Sequence, residues 1–395
     1  MILTAKQEQG LRIAVSRFNE KEPYTCISGF AGTGKSTLVT FLIAALNLDP
    51  DDVAYVAYTG KASNVLKQKG CPNPTTAHKL LYYSKPLPNG KYIHTPRETL
   101  ENPYKLIIVD EVSMLPVDMW NLLLSHHIPV IACGDPGQLP PVDANQENHV
   151  LDHPHIFLDE IMRQAQESEI IRLSMHVRDD QPLSTFPGRN EEVQIIDKYN
   201  LTSGMYKWAD QIICATNRTR QDINSCMRQL DGRGSEPEVG DKIIGLTNHW
   251  NFLSACGAPL TNGSIGKITE IEPFDIKVPF WIYPNEIIKA LKIDMHAEDD
   301  ELFQGIPADY LAITTGQKTL TGQQEFQMNK AKNILFPPPF DFAYAYAITC
   351  WKAQGSEWDK VLLLEENFPF NREDHIKYLY TGITRSSKKL LVVKK

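Results

Sequence analysis

The sequence predicts an α/β protein with two domains, each built on a parallel sheet, and three observations lead to this prediction. The chain has 395 residues, and a single core stops growing near roughly 250–300 residues, so two or more domains are expected. Apolar strand patterns alternate with amphipathic helix patterns early in the chain and again late, which is typical of parallel sheets covered by helices. A third stretch, rich in strand patterns, interrupts the second alternating region.

The first alternating region contains four apolar runs of strand length, followed by helical patterns. These runs are Tyr24–Ile27, Val53–Tyr58, Lys105–Val109 and Val130–Cys133. Residues 82–104 break the alternation with several prolines and the pair Asn89–Gly90, which is a typical hairpin turn. We therefore expect a first domain over residues 1–157 with a β-hairpin inserted at 82–104.

The second alternating region has apolar runs at Gln211–Ala215, Ala345–Thr349, Val361–Leu364 and Leu390–Val393. Between the first and second of these runs lies a stretch of about 240–340. It carries an Asn262–Gly263 turn, alternating strand patterns and a proline cluster at its end. We expect a second domain over residues 158–395 with this stretch as a small, β-rich insertion.

Composition limits the class of protein. Hydrophobic residues make up 42% and charged residues 22% of the chain, which is typical of globular proteins. No apolar run of about 18 residues and no signal segment is present, so we expect a cytoplasmic protein without a membrane anchor. The seven cysteines contain no C-x-x-C pair, which argues against zinc. The net charge of −8 excludes a uniformly basic surface but permits a local basic groove.

Residues Gly29–Ser36 fit the phosphate-loop pattern G-x-x-x-x-G-K-[ST] between a predicted strand and a predicted helix. The loop N–H groups and the helix N-terminus would converge on one anion. Lys35 would reach the β- and γ-phosphates, and the Ser36 hydroxyl would hold Mg²⁺. The nucleotide-contacting residues are then Gly32, Thr33, Gly34, Lys35, Ser36 and Thr37. The sequence therefore predicts binding of a nucleoside triphosphate.

Two further strand ends carry candidate catalytic groups. Asp110 and Glu111 follow a buried strand, where Asp110 could hold Mg²⁺ and Glu111 could orient or deprotonate the attacking water. Gln138 lies in the turn that follows the next strand and could sense the γ-phosphate or the water. Without the loop, the acids could be solvent-facing residues and Gln138 part of a proline-stiffened turn. With the loop, these residues predict nucleotide hydrolysis.

The remaining short blocks occur in the order seen in superfamily 1 DNA helicases, and the chain resembles their RecD-like branch. The resembling blocks are Leu3–Gln7, Gly29–Thr37, Tyr58–Ala62, Thr76–His78, Asp110–Met114, Gly134–Val142, Leu158–Arg163, Ala215–Asn217 with Ile223–Asn224, Asn262–Gly263 with Gly266, Tyr346–Glu357 and Tyr378–Arg385. The resemblance covers nearly the whole chain. The ordered combination is specific, although each block is short.

The resemblance implies two RecA-like domains with ATP in the cleft between them. Gln7 would read the adenine, and Glu357 would lie near the ribose and phosphates. Arg163 and Arg385 would supply positive charge at the γ-phosphate when the cleft closes, which would couple hydrolysis to domain motion. Mg²⁺ would be the accompanying metal ion.

The resemblance also implies contacts with single-stranded DNA. The candidate residues are Thr59, Lys61, Thr76, His78, Asn262, Trp351 and Lys352. His78 could instead cap a helix or lie in the core. Tyr58 stands where the family usually has proline, and Trp351 where it generally has histidine. Trp351 could stack on a base or pack in the core.

By the same resemblance, the inserted hairpin would be a pin that splits duplex DNA, with Leu87 or Tyr92 as wedge residues. It could equally be a surface hairpin. The second insertion would be a small β-barrel that grips the strand, and movement would run 5′ to 3′. We expect a monomer that acts on single strands and single-strand/duplex junctions, alongside replication or recombination proteins.

Three classes of function remain to be compared. A DNA helicase and a translocase that strips proteins from single strands need the same engine, so motifs do not separate them. A phosphate-loop kinase or nucleotide switch would have no reason to carry a second α/β region or the blocks around Thr76 and Tyr346. No further carboxylate cluster indicates a nuclease. A helicase is therefore the predicted function, with the translocase as the alternative.

Overall fold

The computed structural model describes residues 3–86, 92–141, 144–162, 166–331, 337–367 and 371–395. It contains twelve α-helices among these residues, numbered here in chain order. They are α1 (Ala5–Asn19), α2 (Lys35–Leu46), α3 (Gly60–Gln68), α4 (Ala77–Leu81), α5 (Val117–Leu124), α6 (Glu169–Arg178), α7 (Ser203–Trp208), α8 (Asn217–Leu230), α9 (Tyr310–Thr315), α10 (Gly322–Lys330), α11 (Cys350–Ala353) and α12 (Arg372–Ile383).

The first sheet has six strands, all parallel, in the order β3-β2-β6-β7-β1-β8. The first eight strands of the chain are β1 (Tyr24–Gly29), β2 (Val53–Ala57), β3 (Thr75–Thr76), β4 (Tyr82–Pro86), β5 (Tyr92–Pro96), β6 (Leu106–Val109), β7 (Val130–Gly134) and β8 (Ile156–Leu158). Strands β2, β6 and β7 are buried along their whole length. This burial explains why they read as continuous apolar runs.

Strands β4 and β5 form a separate antiparallel pair, from Tyr82↔Pro96 to Pro86↔Tyr92. The predicted hairpin range therefore contains two paired strands. Leu87 lies outside the described residues, and of Tyr92 only the backbone is described. The proposed action of these residues as a pin stays a prediction.

The second parallel sheet has the order β18-β10-β19-β20-β9. The later strands of the chain are β9 (Val193–Asp197), β10 (Gln211–Cys214), β11 (Lys242–Gly245), β12 (His249–Leu253), β13 (Pro259–Leu260), β14 (Ile265–Lys277), β15 (Ile287–Ala297), β16 (Leu302–Asp309), β17 (Phe342–Tyr344), β18 (Ala347–Thr349), β19 (Trp358–Leu364) and β20 (Ser386–Lys394). Pairs β10–β19, β19–β20 and β20–β9 are parallel. The prediction of an α/β fold with two parallel sheets is confirmed.

A third sheet, β16-β15-β14-β11-β17, is antiparallel in every pair. It occupies the stretch of about 240–340, and β12 and β13 form a small pair beside it in sequence. Its apolar side chains, among them Ile243, Ile293 and Phe342, form their own core. The barrel-like closure of this insertion stays a prediction.

The chain divides into two compact units. The first comprises Met1–Leu81, Arg97–Arg220 and Ile348–Lys395, and the second comprises Tyr82–Pro96 and Gln221–Ala347. Both parallel sheets therefore lie essentially within the first unit, and the antiparallel sheet lies in the second. The expected division at residue 157 falls inside β8 and stays a prediction. No helix of the described residues is long and apolar enough to cross a bilayer.

The second unit contains a histidine whose environment predicts a pH-dependent stability. The His249 ring stacks on Phe340 with centroids 3.4 Å apart, and burial, with the Lys318 charge, lowers its pKa from 6.5 to about 4. As the pH falls below 6.5, His249 takes up a proton in the unfolded chain but stays neutral in the folded unit. The contribution of His249 to the free energy of unfolding is therefore fully present above pH 6.5 and is lost as the pH falls towards 4, by up to about 3 kcal/mol.

Denaturant unfolding of the wild type and of His249→Gln, between about pH 7 and pH 4, measures this effect. The wild type should lose more unfolding free energy on acidification than the variant, because the variant has no group to protonate at this position. His296→Gln, at a half-exposed histidine on β15 of the same unit, is the matched control and should follow the wild type. Parallel curves for the wild type and His249→Gln would contradict the assignment.

Candidate active site

The phosphate loop joins the carboxyl end of β1 to the start of α2. Gly32 and Gly34 have φ angles of 77° and 80°, a left-handed conformation that glycine adopts without steric cost. The Lys35 ammonium donates to Gly29 O at 2.7 Å and to Phe30 O at 3.1 Å. Lys35 is therefore folded back onto the carbonyl groups of the loop. The N–H groups of the same loop are the ones that would bind phosphate. Ser36 is exposed in the first turn of α2, and Thr37 is half-buried.

Gln7 packs directly under this loop. Its Nε2 donates to Thr33 O at 3.2 Å, and its Oε1 accepts from Thr4 N at 3.0 Å in the capping box of α1. Only 1% of the Gln7 surface is exposed. The amide thus supports the loop from below, and its expected contact with adenine stays a prediction.

Replacing Gly34 with alanine should weaken nucleoside triphosphate binding by about tenfold or more. A Cβ at Gly34 would lie 2.4 Å from Gln7 Nε2, so either the loop or the Gln7 amide that bonds to it must move, and the left-handed backbone at this position also prefers glycine. Gly70 has a similar φ of 85° but nothing within 4 Å of a Cβ, so Gly70→Ala is the matched control. Titration with a fluorescent nucleoside triphosphate measures both variants; equal affinities would contradict the expectation.

The two predicted carboxylates lie at the carboxyl end of β6, on the same sheet edge as the loop. Burial and the neighbouring Glu111 charge raise the pKa of Asp110, and Lys69 and Lys35 oppose this shift. Glu111 has a φ of 50°, a left-handed conformation that costs a non-glycine residue energy and that occurs in turns and at functional sites. The backbone at Glu111 thereby turns away from the strand direction.

Gln138 lies beside Glu111. Its Nε2 donates to Glu111 Oε1 at 3.2 Å, and its Oε1 is buried with no hydrogen-bond partner among the described residues. A buried, unpaired acceptor is uncommon and marks a place where a donor would be stabilised. The structure therefore brings together two of the predicted catalytic residues, Glu111 and Gln138, and their catalytic roles stay predictions.

Helices α11 and α12, which lie between strands of the second sheet in the chain, and the residue that follows α11 contact the turn that carries Gln138. The Thr381 hydroxyl accepts from Leu139 N at 2.9 Å, and Gln354 Nε2 donates to Leu139 O at 2.8 Å. The Trp351 indole N–H donates to Pro140 O at 3.1 Å. All of these residues lie in the first compact unit. The two α/β halves are thus hydrogen-bonded at the candidate site.

The structure shows no contact between the phosphate loop and the remaining described nucleotide-site candidates, Arg385 and Glu357. Arg385 is buried and donates to Thr381 O at 3.0 Å and Ser356 O at 3.3 Å, both within its own half. Glu357 is exposed, and Arg163 lies outside the described residues. The proposed arginine action of Arg163 and Arg385 stays a prediction.

Four strand-contact candidates lie around α3 and α4. The Thr59 hydroxyl caps α3 by accepting from Ala62 N at 3.2 Å, and Lys61 Nζ lies 4.7 Å from the centre of the Trp358 ring. Thr76 is buried and accepts from Lys79 N at 3.3 Å. His78 is half-buried, with its ring centroid 5.8 Å from that of Tyr58. Their predicted contacts with a nucleic-acid strand stay proposals.

The other three candidates divide between the units. Trp351 is half-buried and uses its N–H within the protein, which favours packing over a free stacking surface. Burial, with the Arg220 charge, lowers the pKa of Lys352. Asn262 belongs to the second unit, where its N–H donates to Asn248 Oδ1 at 2.8 Å.

Sequence reasoning missed three residues that touch the loop or its neighbouring turn. The Tyr380 hydroxyl accepts from Ala31 N and donates to Asp135 Oδ2, both at 2.8 Å. The Arg178 guanidinium lies 4.0 Å from the centre of the Phe30 ring. Tyr380 and Asp135 lay within recognised blocks, but only the structure reveals their contact. Among the described residues, no group of three or more His, Cys, Asp or Glu side chains is placed to hold a metal ion.

The sequence matches two known domain families, one in each half. The profile of the AAA domain family matches residues 3–198, and that of the UvrD-like helicase C-terminal domain matches residues 344–393. These matches reproduce the order of the two halves expected from the motifs. The chain belongs to the superfamily 1 helicases.

Two ATP-dependent DNA helicases are similar over most of this chain. The ATP-dependent RecD2 DNA helicase of Deinococcus radiodurans is 28% identical over 378 residues, which is 91% of this chain and 45% of that protein. The ATP-dependent DNA helicase dda of Enterobacteria phage T4 is 28% identical over 363 residues, 84% of this chain and 77% of that protein. The chain thus spans less than half the length of the RecD2 relative.

Solved structures of Pif1 helicases share the fold. Pif1 helicase from Bacteroides, in complex with ADP-AlF3 and ssDNA, aligns with a TM-score of 0.56 and 18% identity, covering 100% of this chain and 92% of that one. Pif1 helicase from Candida albicans aligns with a TM-score of 0.53 and 17% identity, covering 100% and 95%. The two parallel sheets are therefore the two RecA-like domains of this family.

Proposed function

We propose that this chain is an ATP-dependent DNA helicase that moves 5′ to 3′ along single-stranded DNA and unwinds duplex DNA. One observation carries the proposal most directly. Residues of the second RecA-like half, Tyr380 and Thr381, hydrogen-bond to the phosphate loop and to the turn that carries Gln138. A nucleotide at the loop would therefore act on both halves at once. The names of the RecD2 and dda relatives support ATP and DNA as the substrates.

ATP hydrolysis in such a site depends on positioning and on charge near the γ-phosphate. Lys35 would exchange its carbonyl partners for the β- and γ-phosphate oxygens. Glu111 would orient the attacking water or take its proton, and Gln138 Oε1, which is buried without a partner among the described residues, would accept a hydrogen bond from that water. Arg385 would add positive charge when the halves close. Gln7 and Glu357 would contact the nucleoside.

The residues present fit a magnesium ion. Asp110 and Ser36 offer the hard oxygen ligands that Mg²⁺ prefers. The Asp110 carboxyl is half-buried beside Glu111, and a divalent cation would relieve the repulsion between these two acids. When bound, Mg²⁺ neutralises charge on the β- and γ-phosphate oxygens.

Binding to DNA would use the sugar–phosphate backbone and would not depend on base sequence. Thr59, Lys61, Thr76 and His78 would serve from the first RecA-like half, and Trp351 and Lys352 from the second. Lys61 and Trp358, whose side chains are in contact, belong to different halves. Strand contacts at Lys61 would thus respond to movement between the halves. Asn262 would contribute from the second unit.

The proposed setting follows from the family. The chain would work as a monomer in the cytoplasm, or in the host cytoplasm if a phage encodes it. It would act at single-strand/duplex junctions during replication, recombination or repair. The hairpin at 82–104 would serve as the separation pin, and the β-rich stretch of 240–340 would grip the strand.

Measurement of ATP hydrolysis with and without single-stranded DNA tests this proposal. We expect hydrolysis to rise on addition of DNA, to fall with added salt because the contacts are mostly to phosphate, and to disappear in Lys35→Ala. Single-stranded RNA of the same sequence serves as the comparison for strand chemistry. An ATP hydrolysis rate that changes with neither DNA nor RNA would overturn both the helicase and the translocase assignment.

A further inference from the structure

Tyr380 and Asp135 form a buried hydrogen bond in the first unit, and neither side chain has a role in the hydrolysis proposed above. Both residues are 1% exposed, although each carries a polar group. Asp135 lies at the carboxyl end of β7, and Tyr380 lies on α12 of the other RecA-like half, 245 residues away in sequence. Buried polar pairs are costly unless every atom is satisfied, so such a pair has a defined geometry.

The Tyr380 hydroxyl connects the phosphate loop to Asp135, because it accepts one hydrogen bond and donates another. Ala31 N donates to the Tyr380 hydroxyl at 2.8 Å, and that hydroxyl donates to Asp135 Oδ2 at 2.8 Å. The other carboxylate oxygen, Asp135 Oδ1, accepts from Gly137 N at 2.9 Å. Each oxygen of Asp135 therefore has a donor.

From Asp135 the connection reaches the candidate catalytic groups. Gln138 N donates to Asp135 O at 3.2 Å, so Asp135 shapes the turn that presents Gln138. The Gln138 amide in turn donates to Glu111 Oε1 at 3.2 Å. These hydrogen bonds, connected through the covalent structure of Asp135 and Gln138, thus join the loop to the carboxylate that would orient the water.

The ring of Tyr380 fits closely against the same turn. A Cβ on Gly137 would lie 2.9 Å from Tyr380 Cε1, so only glycine leaves room for the ring. Burial and the Asp135 charge hold the pKa of Tyr380 well above its usual range, so the hydroxyl keeps its proton and remains a donor to Asp135.

We propose that Tyr380 and Asp135 are a positioning pair that holds the phosphate loop and the Gln138 turn in register for ATP hydrolysis. The inference rests on the proposed ATPase function. Among the hydrogen bonds between the halves, it assigns to Tyr380 the one that reaches the phosphate loop: when the second half moves, the loop N–H of Ala31 and the Gln138–Glu111 pair move with it. Neither residue is required to touch the nucleotide.

The test is Tyr380→Phe, which removes the hydroxyl and keeps the ring against Gly137. We expect kcat for DNA-stimulated hydrolysis to fall about ten- to a hundredfold, because a buried donor and a buried carboxylate lose their partner. KM for ATP should change by less than about threefold. The double variant Tyr380→Phe/Asp135→Asn should be little worse than either single variant, because both changes break one network.

Tyr378→Phe is the matched control. Tyr378 is also fully buried on α12, and its hydroxyl donates to Leu364 O, away from the loop. We expect this variant to lose a similar amount of thermal stability and to keep its kcat. A Tyr380→Phe protein that melts earlier but hydrolyses ATP like the wild type would overturn the proposal, and so would additive effects of the two single changes.

Amide hydrogen exchange provides a second readout that needs no ATPase activity. Loop peptides that contain Ala31 should exchange faster in Tyr380→Phe, whereas peptides from β2 should not change. If the wild type does not hydrolyse ATP, the proposed function fails, and the exchange rates still decide the positioning role. Unchanged loop exchange would overturn that role.

Discussion

Replacing Glu111 with glutamine slows DNA-stimulated ATP hydrolysis by about 10²–10⁴-fold while ATP still binds. The glutamine keeps the size of the side chain and can still accept a hydrogen bond from Gln138 Nε2, which lies 3.2 Å from Glu111 Oε1. It cannot take a proton from water. The loss should therefore appear in kcat, with nucleotide affinity nearly unchanged.

Single-turnover hydrolysis and titration with a fluorescent ATP analogue measure the two quantities for Glu111→Gln. Glu8→Gln changes an exposed glutamate in the first turn of α1 and is the control for loss of one negative charge. Hydrolysis at the wild-type rate in Glu111→Gln would remove Glu111 from the chemistry. The acid would then be a structural partner of Gln138.

Replacing Arg385 with methionine should lower the hydrolysis rate by about 10³-fold or more, the range known for an arginine that supplies charge to a transferring phosphoryl group. Methionine keeps much of the apolar volume of the buried side chain and removes its charge. The guanidinium donates to Thr381 O and Ser356 O in this structure, so the variant also removes the donor to Ser356 O and leaves Thr381 O with the Thr384 hydroxyl as donor. A lower melting temperature is expected besides the lower rate.

The loss of hydrolysis rate and the loss of stability in Arg385→Met can be measured separately. Hydrolysis is compared well below the melting temperature, with Arg172→Met, at a half-buried arginine paired with Glu169, as the control. A large loss of rate at full folding supports the charge role. If hydrolysis falls only in proportion to the unfolded fraction, Arg385 is structural and the charge must come from elsewhere.

The parallel strands were predictable because their burial is recorded in the sequence. Strands β2, β6 and β7 are apolar at nearly every position, and each ends at a polar or glycine-rich turn. The phosphate loop was predictable for a related reason: its glycines and Lys35 have fixed spacing. Asp110, Glu111 and Gln138 followed from their position at strand ends.

The run from residue 345 to 349 was predicted as a strand of the second parallel region, and β18 (Ala347–Thr349) occupies its last three residues. The pattern does not show that the strand just before it, β17, which ends at Tyr344, joins the antiparallel sheet instead. Asn224 marks the change of sheet, because its Nδ2 donates to Tyr344 O and its Oδ1 accepts from Ala347 N. Apolar periodicity does not record which sheet a residue joins.

The contact between Tyr380 and Asp135 could not be predicted from the sequence, for a different reason. It joins two motifs at a separation of 245 residues, and nothing in either motif shows which side chains meet. Gln7 illustrates the same point: its amide bonds to Thr33 O and Thr4 N. A motif predicts a location near the site, whereas the contacts of each side chain depend on the packing around it.

The most direct test of the helicase assignment is ATP-dependent strand separation on duplexes that carry either a 5′ or a 3′ single-stranded tail, with Lys35→Ala as the inactive control. The account predicts separation from the 5′ tail alone. Separation from the 3′ tail alone would contradict the direction, and strong DNA-stimulated ATP hydrolysis without separation from either tail would identify a translocase instead of a helicase.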